Sequence, residues 1–269
     1  MNYIQITILF FLITFYLAHF NLPHLSHKDD ISQHDKNQPI IIFYTKRQTR
    51  DFILEDKDNF INSLDKPNLI ARKVNTTDEY KTISSKAATD FTKKEKEILT
   101  NVIIKVCDKL DGLSKPILKK YGLNKKLLLS LSEKWNIAKT KDTVFEIGMP
   151  HTRQNVIFLS SYYLAKNEED EKKLIETILH EFYHIYQRTY TKRYQTFLKE
   201  NDWEIVPYNK TDKRSNPDLD NLVWKRKDKI FIAKFNSLEP KDLKDISLKE
   251  SRFEHPNEYY AYKLSEELK

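Results

Sequence analysis

The sequence has very little cysteine and glycine, and this scarcity excludes several kinds of site. Cys107 is the single cysteine in 269 residues, so an intrachain disulfide is excluded. It stands at an apolar position of a predicted helix, where an unpaired cysteine behaves as a small hydrophobic residue rather than as a nucleophile. Three glycines occur, at positions 112, 122 and 148. Their scarcity excludes glycine-rich phosphate loops and argues against a dinucleotide-binding fold.

The excess of positive charge is small and is not gathered in one segment. The formal net charge is +7, and lysines alternate with acidic residues in stretches such as TKKEKE and KRKDKI. A nucleic-acid-binding protein concentrates its basic residues on one face or along one stripe. We therefore expect a globular body with a well-solvated surface and no nucleic acid among its partners.

A long uncharged run lies near the amino terminus. Residues 3–20, YIQITILFFLITFYLAHF, just reach the length that a helix needs to cross a bilayer. No lysine or arginine precedes this run and no clear small-residue cleavage site follows it, which favours a retained anchor over a cleaved signal peptide. The sequence therefore predicts a protein anchored in the membrane by a single span, or a secreted protein if the segment is removed.

The sequence pattern divides the chain into four predicted regions. Residues 1–22 hold the anchor or signal segment, and residues 23–39 form a linker. Residues 40–140 are expected to form a mainly helical N-terminal region. Residues 141–269 combine strands with a long helix and a late helix, which predicts an α+β fold.

Local signals place elements in the two larger regions. QPIIIFYTK predicts a strand at the start of residues 40–140, and Thr92 with Glu95 forms a capping box for a helix that should stop at Gly112. Further on, TVFEIG and NVIFLSS predict two short strands, and Asn167 is expected to cap the long helix. NLVWKRKDKIFIAKF predicts a hairpin, and the last helix begins at Pro256 or the residue after it.

The long helix contains the pattern His180-Glu181-x-x-His184, within TILHEFYHIYQR. Residues four apart lie on one helix face, so both imidazoles can direct a ring nitrogen at one zinc ion. Glu181 lies about 100° further round the helix, where it can act on a water beside the metal without being a ligand. The neighbouring residues are uncharged, as a buried metal helix requires: Thr177, Ile178, Phe182, Tyr183, Ile185 and Tyr186. The alternative is a pair of structural histidines on a core helix.

A zinc site also needs a third protein ligand. The astacin and matrix-protease pattern is excluded, because Gln187 and Tyr190 stand where it requires glycine and histidine. Glu258, in HPNEYYAYKL, is the predicted third ligand, and the small Ala261 would let its helix pack closely on the metal helix. The sequence also offers other acids and a histidine as possible ligands: Asp218, Asp220, Glu254 and His255. His151 is interpreted as a loop histidine.

HEFYH followed by EYYA at residues 258–261 resembles the gluzincins, the zinc metallopeptidases whose third ligand is a glutamate. The E-x-x-A form is similar to that of anthrax lethal factor and related toxins. The resemblance covers residues 155–188 and 255–265, and it implies a zincin-like domain with one Zn²⁺ per chain. One position departs from the thermolysin pattern: Tyr262 stands where an aspartate would orient the first histidine.

The resemblance implies hydrolysis of peptide bonds in a peptide or protein substrate. Zinc held by His180, His184 and Glu258 would polarise the scissile carbonyl, while Glu181 takes a proton from water and passes it to the leaving amine. Three residues are candidates for stabilising the oxyanion or orienting a ligand: Tyr262, Tyr259 and His255.

The strand NVIFLSS has two possible places in such a fold. In zincins an edge strand lies above the metal helix and pairs with the extended substrate. Residues Asn155, Val156, Ile157 and Phe158 are expected to form this edge strand, and an internal strand of the same sheet is the alternative.

Two other classes of function remain compatible with the sequence. The first is a membrane-anchored binding or scaffold protein on a catalytically weak zincin fold, which the intact Glu181 disfavours. The second is a basic surface-binding protein whose histidines are only structural. Metal content and peptide turnover separate both from a peptidase.

Overall fold

A four-stranded sheet lies at the centre of this computed structural model, which describes residues 38–248 and 252–268. Its strands are β1 (Ile40–Phe43), β2 (Lys134–Thr140), β3 (His151–Arg153) and β4 (Val156–Ser160), in the order β1-β2-β4-β3. The first, second and fourth strands are parallel, and β3 runs antiparallel to β4 at one edge. The described part of the chain is therefore an α+β protein with a mixed sheet.

Helices and smaller sheets complete the described structure. The helices are α1 (Lys46–Glu55), α2 (Lys66–Ala71), α3 (Thr77–Lys86), α4 (Lys93–Asp111), α5 (Lys115–Lys120), α6 (Lys125–Ser132), α7 (Ser161–Asn167), α8 (Glu171–Thr189), α9 (Thr191–Glu200) and α10 (Pro256–Leu268). The remaining strands are β5 (Trp203–Val206), β6 (Val223–Arg226), β7 (Lys229–Phe231), β8 (Ala233–Phe235) and β9 (Ile246–Leu248). β5, β6 and β7 form one antiparallel sheet, and β8 pairs with β9.

The central sheet separates two hydrophobic cores, because successive side chains of a strand point to opposite faces. On β4, Ile157 and Leu159 enter the larger core, which also contains the apolar faces of α4 and α8. Val156 and Phe158 enter the smaller core, which holds residues of α1 and α3. Both faces are covered, and all five residues of β4 are buried.

Helix α8 is held between the sheet, α4 and α10 by an almost continuous buried surface. Phe182 stacks on Trp135 of β2, with ring centroids 4.6 Å apart. Helix α10 begins at Pro256, as predicted, and its Ala261 is fully buried. The capping box of Thr92 and the end of α4 at Gly112 are also as predicted.

Two local predictions are corrected by the structure. TVFEIG is not a strand but a turn followed by a 3-10 helix, in which Ile147 has a φ of 51° and Glu146 is held by Arg72. Asn167 does not cap α8; it ends α7, and Asp170 caps α8 by accepting from the amide of Lys173. The ion pair between Glu146 and Arg72 replaces the predicted strand with a turn. The short helix α7 takes up Asn167, so the cap of α8 moves to Asp170.

The predicted division after residue 140 does not coincide with a structural boundary. β1 and β2 come from residues 40–140, yet they form one sheet with β3 and β4 from the second region. Helices α1 to α6 also lie in the first region, and α4 packs on α8. The described residues, 38–248 and 252–268, belong to a single compact unit.

The prediction of a membrane-anchored protein is contradicted on the described part of the chain. Within residues 38–248 and 252–268, no helix is long and apolar enough to cross a bilayer. The segment that prompted the prediction, residues 3–20, lies outside the described residues, as do residues 1–22 and most of the predicted linker at 23–39.

Gly122 permits a close approach between the turn after α5 and α9. Its φ is 65°, and a Cβ built there would lie 2.5 Å from Cγ of Phe197. We expect Gly122→Ala to lower the free energy of unfolding by about 1–3 kcal/mol, because the side chain is both strained and overpacked. Urea unfolding measures the change.

The matched control is Gly112→Ala. Gly112 has a φ of −74°, and a Cβ there would meet its nearest atom at an ordinary 3.5 Å. We expect this variant to match or exceed the wild type in stability. Equal losses in both variants would contradict the packing described at Gly122.

Candidate metal centre

Helices α8 and α10 bring His180, His184 and Glu258 together. One ligand atom from each residue lies within 4.8 Å of the other two. The two Nε2 atoms of the histidines are 3.0 Å apart, and Glu258 Oε2 lies 3.3 Å from Nε2 of His180. Glu258 Oε1 is 3.7 Å from Nε2 of His184. Two imidazoles and a carboxylate therefore converge on one point, as a zinc site of nitrogen and oxygen ligands requires.

Gln187 orients the imidazole of His184. Its Oε1 lies 2.9 Å from Nδ1 of His184, while its Nε2 donates to Tyr194 Oη at 3.0 Å and to the carbonyl of Asn257 at 3.1 Å. Because the amide nitrogen is committed to these acceptors, the amide oxygen must accept from the imidazole, so Nδ1 carries the proton. The Nε2 lone pair of His184 is thereby left to face the cluster.

Glu258 is held by neighbours on two sides. Asn216 Nδ2 donates to Glu258 Oε1 at 3.2 Å and to Glu254 at 2.9 Å. Burial alone would raise the pKa of Glu258, but the neighbouring histidines and the charge of Arg214 lower it below its usual range. The third candidate ligand is therefore a carboxylate with a fixed orientation.

Glu181 is buried beside this cluster and has an unsatisfied oxygen. Within the described residues, its Oε2 has no hydrogen-bond partner although it is shielded from solvent. Burial raises the pKa of Glu181 well above its usual range, the carboxylates of Asp218 and Glu258 raise it further, and Arg188 opposes them. A free carboxylate oxygen at this place can take up a proton from a neighbouring water.

The cluster opens into a pocket of about 180 Å³ that is lined by Glu181, His180 and Glu258 among others. Met149, Lys173 and Tyr262 line the same pocket and are exposed, so they mark its mouth. The candidate metal centre is thus accessible to a ligand from solvent.

Arg188, one turn beyond His184 on α8, holds together three segments near the cluster. Its guanidinium donates to Thr152 Oγ1 at 3.1 Å, to the carbonyl of Gln154 at 2.7 Å and to the carbonyl of Pro217 at 3.0 Å. One partly buried cation therefore joins α8 to the edge strand and to the segment that carries Asn216.

The predicted edge strand is internal. β4, which contains Val156 to Phe158, lies between β2 and β3, so Asn155, Val156, Ile157 and Phe158 do not form an edge. The edge on that side is β3, and the amide of Thr152 donates to Asp218 Oδ1 at 2.6 Å. The sequence did not reveal this because three-residue β3 carries no strand pattern of its own.

The three predicted auxiliary residues have different surroundings. Tyr262 lines the pocket, and its ring lies 4.5 Å from that of His180. Tyr259 instead packs against Trp203 and Phe253, outside the pocket lining. The ring of His255 contacts Asp220 and the start of α10, so it also lies outside this lining. Tyr262 alone of the three is placed near the cluster.

The alternative ligands do not join the cluster. Within the described residues, the one group of three metal-ligating side chains is that of His180, His184 and Glu258. Glu254 and Asp220 are engaged by Arg214 and His255, respectively. Gln187 was not identified from the sequence as an orienting residue, although it stands three residues after His184 on the same helix. Asn216 and Arg188 could not be identified from the sequence, because their hydrogen-bond partners are distant along the chain.

Comparisons of this chain with protein-family models, with curated proteins and with solved structures found no match.

We expect Gln187→Leu to weaken zinc binding by about 10- to 100-fold, because His184 loses the acceptor that fixes its ring and tautomer. Competition with a fluorescent chelator measures the dissociation constant. Gln195→Leu on α9 is the matched control and should bind zinc as the wild type does. Unchanged affinity in the Gln187 variant would contradict the orienting role.

Proposed function

We propose that this chain is a zinc-dependent peptidase of the gluzincin type, with a zincin-like domain built on the described α+β fold. The observation that carries the proposal is the convergence of His180, His184 and Glu258 beside the unpartnered Oε2 of Glu181. Three ligands, a free carboxylate and an open pocket are the parts that metal-assisted hydrolysis requires.

The residues present fit a zinc ion. Two imidazole nitrogens and one carboxylate form a donor set that catalytic zinc sites use, with one position left for water or substrate. Gln187 sets the tautomer that leaves Nε2 of His184 free for a metal. Zinc bound there would polarise a carbonyl group and acidify water.

The protein's own groups would carry out the proton transfers. The carboxylate of Glu181 would accept the proton of the attacking water, and the same group would then give it to the leaving amine. Its raised pKa suits both roles, because the protonated form is easier to reach in this buried place than in solution. Tyr262, beside His180 at the mouth, is the nearest predicted residue that could donate to the oxyanion.

Removal of zinc tests the proposal. We expect purified protein to contain one zinc per chain and to cleave members of a peptide library, as detected by mass spectrometry. A chelator should abolish cleavage, and one equivalent of zinc should restore it. Cleavage that persists without metal would contradict the proposal, and peptide binding by the zinc-loaded protein without cleavage would indicate a binding protein instead.

A further inference from the structure

His151 has a buried ring nitrogen that the proposed chemistry does not use. Its ring is 3% exposed, lies stacked on Phe158 with centroids 5.2 Å apart, and meets Phe145 edge-on. Within the described residues, its Nε2 has no hydrogen-bond partner, and the residue lines the same pocket as the metal cluster. An unpaired buried nitrogen is costly, so a ligand group that pairs with it would bind favourably.

The tautomer of His151 defines what this nitrogen can bind. Nδ1 lies 2.9 Å from the carbonyl oxygen of Met149. A carbonyl oxygen can only accept, so Nδ1 carries the proton and Nε2 of the neutral ring presents a lone pair. Burial lowers the pKa of His151, which keeps the ring neutral. The nitrogen therefore needs a donor, an N–H or O–H group.

An acidic group near His151 is able to pair with a positively charged donor. Asp218 and Glu146 are the acidic groups that act on the ring, and Arg153 is the opposing base. Glu146 is neutralised by a bidentate pair with Arg72, at 2.8 and 2.7 Å. Asp218 uses Oδ1 for both donors of Thr152, and within the described residues its Oδ2 has no hydrogen-bond partner. Asp218 is thus the acid with an oxygen to spare.

Apolar side chains line the same pocket as these two acceptors. Ile147, Pro150 and Leu243 line the pocket together with His151 and Asp218. A group that matches this lining has an apolar stem and a cationic N–H donor at its tip. The lysine side chain has both parts, and the amino terminus of a peptide shares the ammonium group.

We propose that the part of the pocket formed by His151 and Asp218 binds an ammonium group of the substrate, through the His151 Nε2 lone pair and the free Asp218 oxygen. This inference rests on the proposed peptidase function and adds a substrate class to it. The substrate is a peptide with a lysine, or a free amino terminus, at a fixed distance from the cleaved bond.

Matched peptides measure the preference. The starting point is a peptide that the zinc-loaded protein cleaves. In one series each lysine is replaced by norleucine, which keeps the apolar stem and removes the ammonium group. In the other series the peptide with a free amino terminus is compared with the same peptide after acetylation. We expect one of these changes to lower kcat/KM by about 10- to 100-fold, as a lost hydrogen bond to a charged group does. A loss in the norleucine series identifies a lysine side chain as the bound ammonium group, and a loss on acetylation identifies the amino terminus.

Two variants test whether the preference depends on this place. His151→Phe keeps the ring that stacks on Phe158 and removes the acceptor, while Asp218→Asn keeps an acceptor for Thr152 and removes the charge. Each should bring the ammonium peptide down to the rate of its uncharged partner. His151→Phe should leave the partner's rate close to its wild-type value, whereas Asp218→Asn is judged by the ratio of the two rates alone, because Asp218 also acts on Glu181. Glu176→Gln, which removes a carboxylate elsewhere in the pocket, should leave the preference intact.

The outcomes separate this inference from the proposed function. Cleavage without an ammonium preference, or a preference that persists in both folded variants, overturns the subsite and leaves the peptidase standing. If no peptide is cleaved, binding of the lysine and norleucine peptides to the zinc-loaded protein is compared by calorimetry. If the lysine peptide binds more tightly and this selectivity is lost in His151→Phe or Asp218→Asn, the subsite is supported although the peptidase proposal fails. If both peptides bind equally, the subsite is overturned as well.

Discussion

Replacement of Glu181 by glutamine is expected to lower peptide turnover by about 10²–10⁴-fold, because the amide cannot take the proton of the attacking water. The side chain keeps nearly the same size, so it should remain in its buried place beside the cluster. Zinc should stay bound at one per chain, since Glu181 is not one of the three converging ligands. Steady-state kinetics on a cleaved peptide measure the turnover, and metal analysis measures the zinc content per chain.

Stability provides a second measurement on the same variant. Burial and the neighbouring carboxylates raise the pKa of Glu181, so its charged form is unfavourable in the folded protein. A neutral amide removes this penalty, and we expect the metal-free variant to have an equal or greater free energy of unfolding. Loss of activity with retained stability would separate a chemical role from a structural one.

The control for this variant is Glu171→Gln on the same helix. Glu171 lies in the first turn of α8, where it is exposed and paired with Lys105. Its replacement should leave turnover unchanged, because exposed ion pairs contribute little. The catalytic assignment of Glu181 is wrong if Glu181→Gln retains more than about a tenth of wild-type turnover.

Replacement of a histidine ligand or of the glutamate ligand is expected to abolish zinc binding. We expect His184→Ala and Glu258→Ala each to reduce the metal content from one zinc per chain towards none, since two remaining ligands hold zinc poorly. Zinc at about 1,000 times its dissociation constant stabilises a protein by about 4 kcal/mol. Added zinc should therefore raise the Tm of the wild type and leave that of both variants unchanged.

Glu254→Gln is the matched control for Glu258. Glu254 lies four residues earlier and contacts the same Asn216, but it is not in the converging cluster. The control should keep one zinc per chain and a zinc-dependent Tm. If it loses zinc while Glu258→Ala retains it, the third ligand has been assigned to the wrong acid.

The parts of the site that the sequence predicted are those set by local geometry. His180 and His184 share a helix face because they are four residues apart, and no tertiary information is needed to place them together. Glu258 was found through its motif, and Ala261 then explains why α10 can pack against α8. In each case the residues involved belong to a regular helix.

The parts that the sequence missed depend on contacts between distant segments. Asn216 lies in an irregular segment, and its bond to Glu258 spans 42 positions. The strand β3 is short, so its place at the sheet edge follows from pairing with β4 and not from its own pattern. His151 was interpreted as a loop residue for the same reason.

The mistaken strand at TVFEIG illustrates how a tertiary contact overrides a local pattern. Its β-branched and aromatic residues are typical of a strand, but Glu146 is drawn into a buried pair with Arg72 and also accepts from Tyr80. That pairing holds the backbone in a turn with positive φ at Ile147. Strand propensity is weak compared with such a network.

Arg188 braces one side of the pocket. Its guanidinium ties α8 to β3 and to the segment that carries Asn216, so we expect these parts to move little relative to one another. Under the proposed peptidase function, peptides and their fragments would pass the exposed residues Met149 and Tyr262 at the mouth. A fragment that leaves slowly would then obstruct the next peptide, so we expect inhibition by released products.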